Sequence, residues 1–236
     1  MSKPACDAQT VELGNIAFEA AEASAAPVPR AVARPANTTR SLFHVASGAL
    51  SLALMRLLPG RAWLIGVSLT IAVAAWSMEA ARRRSPAANE VLMRFFSAIA
   101  HPQERHRVNS STWYVTALLI LASFFPLRAA ELGVVVLGLA DPAAGFIGRR
   151  FGRTRLRTGR SLEGTLAFVV AGTFAALAAL FAFHELPWSS RITLALVGAV
   201  AGAVAELVST RADDNFTIPL TVAVAATTAQ LFLPVL

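Results

Sequence analysis

Gly164–Phe183 reads GTLAFVVAGTFAALAALFAF, twenty consecutive positions without a charged side chain. At about 1.5 Å of rise per residue that is ~30 Å of helix, the thickness of the hydrocarbon core of a bilayer. Backbone in hydrocarbon must satisfy its own N–H and C=O groups, so an isolated run of this kind reads as a membrane helix. Comparable runs flank it on both sides. Taken together the spans fall at roughly 41–58, 61–81, 112–127, 130–148, 163–185, 191–210 and 216–236. Bulk composition agrees: of 236 residues 56% are apolar and 15% charged, and mean hydropathy is +0.58. A soluble domain carries about a quarter charged residues. The expected fold class is therefore all-α, a polytopic integral membrane protein with about seven transmembrane helices.

The loops between these runs set an orientation. One set holds Arg30, Arg34 and Arg40, then Arg82, Arg83, Arg84, Arg94, Arg105 and Arg107, then the six arginines from Arg149 to Arg160, then Arg211. The opposite set holds Arg61, Arg128 and Arg191. Sixteen against three places the N-terminus and the basic loops in the cytosol, and with seven spans the C-terminus outside. The net charge of +7 lies between apolar runs, which suits anionic headgroups or an anionic substrate and argues against nucleic acid as a partner. Residues 1–40 are Ala- and Pro-rich, acidic then basic, with no apolar core of signal-peptide length. They are expected to form a disordered cytosolic tail ahead of a transmembrane catalytic domain over 41–236. Between the second and third spans, Val91, Leu92, Phe95, Phe96 and Ile99 recur at helical spacing, predicting a helix on the membrane interface. Gly198 and Gly202 form a small-xxx-small pair, read as a helix-packing face. Cys6 is the one cysteine, so an intrachain disulfide and a Cys-cluster zinc site are excluded.

Charges inside or at the ends of apolar helices are expensive and mark candidate functional residues. Asp141 stands within an apolar run and is followed by Pro142, Gly145 and Gly148, a pattern for a broken or closely approached helix. The alternative is an aspartate held by an arginine of the next loop. That loop carries Gly148, Gly152 and Gly159 among its six arginines and ends in Gly159-Arg160-Ser161-Leu162-Glu163-Gly164-Thr165. Glycines admit close backbone approach and guanidinium forks match phosphate oxygens, so a polyphosphate fits here; a plain basic loop is the alternative. Glu206, Asp213, Asp214 and Asn215 offer carboxylate and amide oxygens at a helix junction, the donors a hard cation such as Mg²⁺ takes. A solvated turn with a capping asparagine is the competing reading. Arg40, His44 and Gly48 share one helix face, as do Glu79 and Arg83, and Glu104 and Asn109 follow. No Walker A loop, HExxH, G-x-S-x-G or Cys/His metal set is present.

Three of these stretches resemble, in order, the motifs of the CTP-dependent lipid kinases: dolichol kinase, phytol kinase and the CTP-using diacylglycerol kinase, distantly related to phosphatidate cytidylyltransferase. Ala140-Asp141-Pro142-Ala143-Ala144-Gly145 through Gly148 and Gly152 is similar to a Gly-Asp-x-x-Ala-x-x-x-Gly stretch, with Ala140 where Gly is usual. Gly159 to Thr165 is similar to a Lys-Ser/Thr-x-Glu-Gly motif, with Arg160 where Lys is usual. Glu206 with Asp213-Asp214-Asn215 and Pro219-Leu220 is similar to the family's final motif. Arg40, His44, Glu79 and Arg83 match its N-terminal half more weakly.

The resemblance, over about residues 40–236, implies transfer of the γ-phosphoryl group of CTP to the hydroxyl of a membrane lipid alcohol, with Mg²⁺ as cofactor. It implies Asp141, Asp213, Asp214 and Asn215 at the metal and nucleotide. Arg153 and Arg160, with Gly145, Gly148, Gly152, Ser161 and Gly164, are implied on the phosphates, and Glu163 or Glu206 as the group that orients or deprotonates the hydroxyl. The lipid alcohol, a polyprenol, phytol or diacylglycerol, would enter sideways between helices. Two other readings stand beside this one: a cytidylyltransferase acting on a phospholipid acid, and a non-enzymatic transporter or scaffold.

Overall fold

The computed structural model describes residues 38–95, 107–156, 158–209 and 212–233. Residues 1–37 of the expected tail, and Glu104, Arg105 and Arg211, lie outside them. Among the described residues the chain forms eight helices: α1 Thr38–Leu57, α2 Arg61–Arg84, α3 Pro86–Phe95, α4 Ser110–Phe124, α5 Leu127–Arg150, α6 Leu162–Phe183, α7 Trp188–Val208 and α8 Asp214–Gln230. None of the described residues belongs to a strand; Arg155 and Ser161 make one isolated bridge.

Each of the seven expected spans coincides with a helix, and α3 takes up part of the expected interfacial segment. Four helices, α2, α5, α6 and α7, are long and apolar enough to cross a bilayer. The protein is therefore an all-helical membrane protein, while length and composition carry only four of the seven crossings. The other three have 20, 15 and 17 residues: α1 carries Arg40, His44 and Arg56, and α4 and α8 fall short of the ~20 residues that a perpendicular crossing needs.

Local sequence explains the helix ends. Asn109, Ser161 and Asp213 cap α4, α6 and α8, each accepting a backbone N–H with its side-chain oxygen. Pro126 and Pro187 precede α5 and α7, where their fixed φ suits a helix start.

Helix α5 is the hub, packed against α1, α6, α7 and α8. Ten successive residues, Ala129 to Gly138, are buried around its whole circumference, the mark of a helix enclosed by others. Helix α4 packs on α8 and α2, and α2 on α3. Small residues let the backbones meet. A Cβ on Gly138 would lie 3.3 Å from Cα of Gly48, and one on Gly133 only 2.5 Å from the carbonyl oxygen of Pro219. Gly198 and Gly202 face Val222 and Phe168, the packing face read from their spacing. The helix expected to break near Asp141 does not: α5 runs through Pro142 to Arg150. Close approach is what the structure shows instead, with Gly164 of α6 against the carbonyl oxygen of Ala144 and the Cα of Gly148.

Candidate active site

Helix direction alternates along the chain, so the end of α5, the starts of α6 and α8 and the end of α7 meet at one end of the bundle. The turn between α5 and α6 folds back on itself there. Leu156 N–H donates to the carbonyl of Arg160 and Leu162 N–H to that of Thr154, with Gly159 at φ +81° closing the turn. Among the described residues of this turn, that left-handed backbone is the one position whose φ requires glycine. The turn is clamped to α5 and α6 by close contacts. A Cβ on Gly152 would lie 2.2 Å from the carbonyl oxygen of Gly148, and one on Gly148 2.8 Å from Oγ of Ser161. Ser161 Oγ itself accepts the N–H of Gly164 at 3.1 Å. Of the glycines expected to face phosphate, Gly148, Gly152 and Gly164 thus have Ser161 and neighbouring backbone at the place a Cβ would take. Gly145 instead faces the guanidinium of Arg149, whose flexible end can move away.

The fold aims Arg160 inward. Its Nη1 donates to Oε1 of Glu206 at 2.9 Å and its Nη2 to Oδ2 of Asp214. The Glu206 side chain is 4% exposed, Asp214 26% and Arg160 35%. Burial alone lowers the pKa of the guanidinium, but Asp214 and Glu206, with Asp141 behind them, reverse this and hold it above its ordinary value. Arg160 is a permanent cation between two carboxylates. It leaves one oxygen of each, Glu206 Oε2 and Asp214 Oδ1, buried without a hydrogen-bond partner among the described residues. Asp141, half-buried on α5, makes no ion pair among the described residues and acts on these groups through space.

Asp213, next to Asp214, points elsewhere. Its Oδ1 accepts the N–H of Asn215 and its Oδ2 the hydroxyl of Ser110 at 2.8 Å. Ser110 in turn accepts from Arg40 Nη2 at 3.3 Å. Asn215 is buried beneath this cap. Beside it Glu79 is gripped by Arg82 and Arg83 and accepts the N–H of Asn109. A continuous polar layer therefore runs Asp141, Arg160–Glu206–Asp214, Asp213–Ser110–Arg40, Asn109–Glu79–Arg83. His44 lies on α1 one turn beyond Arg40, its carbonyl oxygen taking the hydroxyl of Ser47. Two expected residues stand apart. Glu163 turns back to the N–H of Thr154 at 3.1 Å, and Arg153 is exposed on the turn.

Sequence reasoning missed Ser110 and Arg82. A serine opening a helix reads as an ordinary cap, and Arg82 is one of three adjacent arginines; only the position of each beside an acid marks it out.

Among the described residues no three His, Cys, Asp or Glu side chains are grouped to hold a metal ion by themselves. The two partnerless carboxylate oxygens beside Arg160 nonetheless fit Mg²⁺, which commonly takes one or two carboxylates and completes its shell with water and substrate phosphates.

No family model matches the chain, and no solved structure matches it. Curated proteins do. The chain is 29% identical over 154 residues to CTP-dependent diacylglycerol kinase 1 of Saccharomyces cerevisiae, covering 57% of this chain and 53% of that protein. It is 32% identical over 127 residues to phytol kinase of Synechocystis, 49% and 52% of the two chains. To dolichol kinase of Schizosaccharomyces pombe it is 38% identical over 98 residues, 40% of this chain and 19% of that one. The chain spans about half the length of the diacylglycerol and phytol kinases it matches, and a smaller share of dolichol kinase. The three motifs read in order and the three kinds of kinase to which the chain is similar point the same way, to CTP-dependent diacylglycerol kinase, dolichol kinase and phytol kinase.

Proposed function

We propose that this protein is a CTP-dependent kinase that phosphorylates the hydroxyl of a membrane lipid alcohol. The observation that carries this reading is Arg160, a cation held between Glu206 and Asp214, each carboxylate keeping one buried oxygen without a partner among the described residues. Phosphoryl transfer asks mainly for positioning and charge neutralisation. Asp214, with Asp141 behind it, would hold Mg²⁺ together with the nucleotide phosphates, and Mg²⁺ would neutralise charge on the phosphate oxygens. On nucleotide binding Arg160 would exchange part of its carboxylate pairing for phosphate, with Arg153 of the exposed turn closing over the same anion. Asp213, fixed by Ser110 and Asn215, would set the edge of the site facing the lipid hydroxyl. Glu206 is the stronger of the two candidate bases, because Glu163 is engaged with the backbone of the turn.

A lateral route for the lipid is supported by an apolar groove between α1, α2 and α4, lined by Leu54, Met55, Val67, Ile71 and Leu118. The Ser51–Tyr114 hydroxyl pair, 2.9 Å apart, lies beside it. We read all seven long helices as crossings, with α1, α4 and α8 completing the four apolar ones. The polar layer then faces the cytosol.

Purified protein incubated with labelled CTP, Mg²⁺ and a panel of prenols, phytol and diacylglycerol tests the reading. Lipid-dependent release of CDP and a lipid phosphate is expected, abolished by chelation. Pyrophosphate release with a lipid acid would make it a cytidylyltransferase, and no lipid-dependent turnover would overturn the enzyme reading.

A further inference from the structure

The opposite end of the bundle carries a second polar cluster that the proposed reaction does not use. Glu131 of α5 is 1% exposed, and its Oε2 takes Nη2 of Arg56 at 2.5 Å and Nε2 of His184 at 2.7 Å. Arg128 Nε lies 3.4 Å from Nδ1 of His184, and Arg191 Nη2 donates to the His184 carbonyl at 3.0 Å. Arg56 Nη2 lies 2.8 Å from the same His184 Nε2, so Arg56, His184 and Glu131 close into one compact cluster. One carboxylate is thus shared by Arg56 and His184. Arg128 and Arg191, both half-buried, have no carboxylate partner among the described residues, and Glu185 is exposed and makes no ion pair with them. Arg191 Nε and Arg56 Nε are buried without an acceptor among the described residues. Aromatic rings back the guanidiniums: Phe183 lies 4.4 Å from Arg56, and Phe181 and Trp188 lie 4.8 and 5.9 Å from Arg191.

An excess of half-buried positive charge beside a belt of aromatic rings at a helix-bundle end is matched to an anion at headgroup depth. Four helices contribute: α1 through Arg56, α5 through Arg128 and Glu131, the end of α6 through His184, and α7 through Arg191. We propose that this end of the bundle binds the phosphate of an anionic lipid headgroup between Arg128 and Arg191. Glu131 and Arg56 form the floor of the site, and His184 holds the two outer arginines in place. The site is separate from the polar layer around Arg160, at the other end of α5, and stands whether or not the kinase reading holds.

Native mass spectrometry of the full chain released from mixed phosphatidylcholine and phosphatidylglycerol nanodiscs tests this. The wild type should retain one phosphatidylglycerol beyond what Arg128→Gln or Arg191→Gln retains. Each variant should bind it roughly tenfold more weakly, as expected for loss of a charge-assisted hydrogen bond. Arg94→Gln, at an exposed arginine of the other face paired with Glu90, should retain as much as wild type. Both site variants should fold and melt only slightly below wild type in phosphatidylcholine alone, because each gives up a contact with His184 but neither pairs with the buried Glu131. Displacement of the retained lipid by millimolar inorganic phosphate would show that phosphate itself is recognised and support the site; resistance to it would assign recognition to the headgroup in its lipid, also in support. Equal retention in wild type and both variants, or no preference of the wild type for phosphatidylglycerol, overturns the proposal.

Discussion

Arg160 Nη1 donates to Glu206 Oε1 at 2.9 Å, joining the turn before α6 to the end of α7 across 46 residues of chain. Glu206 is the more deeply buried of the two, so the pair's value to the fold lies mostly in sparing that carboxylate an unpaired burial. Arg160→Ala should destabilise the protein by about 2 kcal/mol, less than for a fully enclosed pair because Arg160 reaches water. On the proposed function it should also lower turnover at least ~10²-fold. Arg160→Lys restores a cation but not the fork that spans two carboxylates. It should fold nearly as well as wild type and keep turnover within about tenfold, one bidentate contact being worth ~1.4 kcal/mol here. Melting temperature and CTP turnover of the two variants, measured side by side, check this; an inactive lysine variant that folds would mean the fork itself is needed.

The turn glycines make a prediction about stability alone. Alanine at Gly152 would meet the carbonyl oxygen of Gly148 at 2.2 Å and Ser161 from the other side, with backbone that cannot yield cheaply. Gly152→Ala should cost roughly 1–3 kcal/mol. Gly60, before α2, has no neighbour within 4 Å of an added Cβ and extended backbone at φ 168°, so Gly60→Ala should be silent. Thermal unfolding in detergent of both variants separates the cases, and equal melting temperatures would sink the packing account of the turn.

The helices were more legible than the site, for physical reasons. Each apolar run announces its helix, because hydrocarbon leaves backbone no other partner. What the runs do not carry is whether a proline interrupts one. Pro142 removes a single N–H and crowds the carbonyl of Gly138, a cost that enclosure of α5 by four neighbours absorbs. In the site, residue types were readable but pairings were not. Asp213 and Asp214 are adjacent in sequence and alike in chemistry, yet the start of α8 sends one to Ser110 and the other to Arg160. The glycines around Arg160 read as room for phosphate, whereas three of them serve close packing. Glu131 and His184 escaped notice because a lone acid at a span's edge and a lone histidine after a span each look unremarkable until 53 residues of separation close to 2.7 Å.

The proposed orientation rests on the arginine asymmetry between the two sets of loops and can be tested directly. A reporter fused after Leu236 should read as external and one fused before Thr38 as cytosolic, in intact cells. A C-terminal fusion active only in the cytosol would remove one crossing, and α1, α4 or α8 would be the helix to reassign.

Asp141 gives the sharpest test, because its stability and activity effects should have opposite signs. It lies half-buried on α5 with no ion pair among the described residues, within electrostatic range of Glu206 and Asp214 as well as Arg160. The site thus concentrates three carboxylates around one guanidinium, an arrangement that is repulsive unless a further cation is bound. Asparagine is nearly isosteric, so Asp141→Asn relieves that repulsion without opening a cavity. The variant should insert normally and melt at or slightly above the wild-type temperature in the absence of Mg²⁺ and nucleotide. If the carboxylate serves the metal and nucleotide, turnover should fall at least ~10²-fold, on the order of 3 kcal/mol of transition-state stabilisation. If Asp141 were held only as a structural counter-charge to Arg160, the variant would melt lower and keep its turnover per folded molecule. Calorimetric melting without ligand and CTP turnover with ligand, on one preparation, read the two signs independently. A stable Asp141→Asn protein with near-normal turnover would refute the assignment.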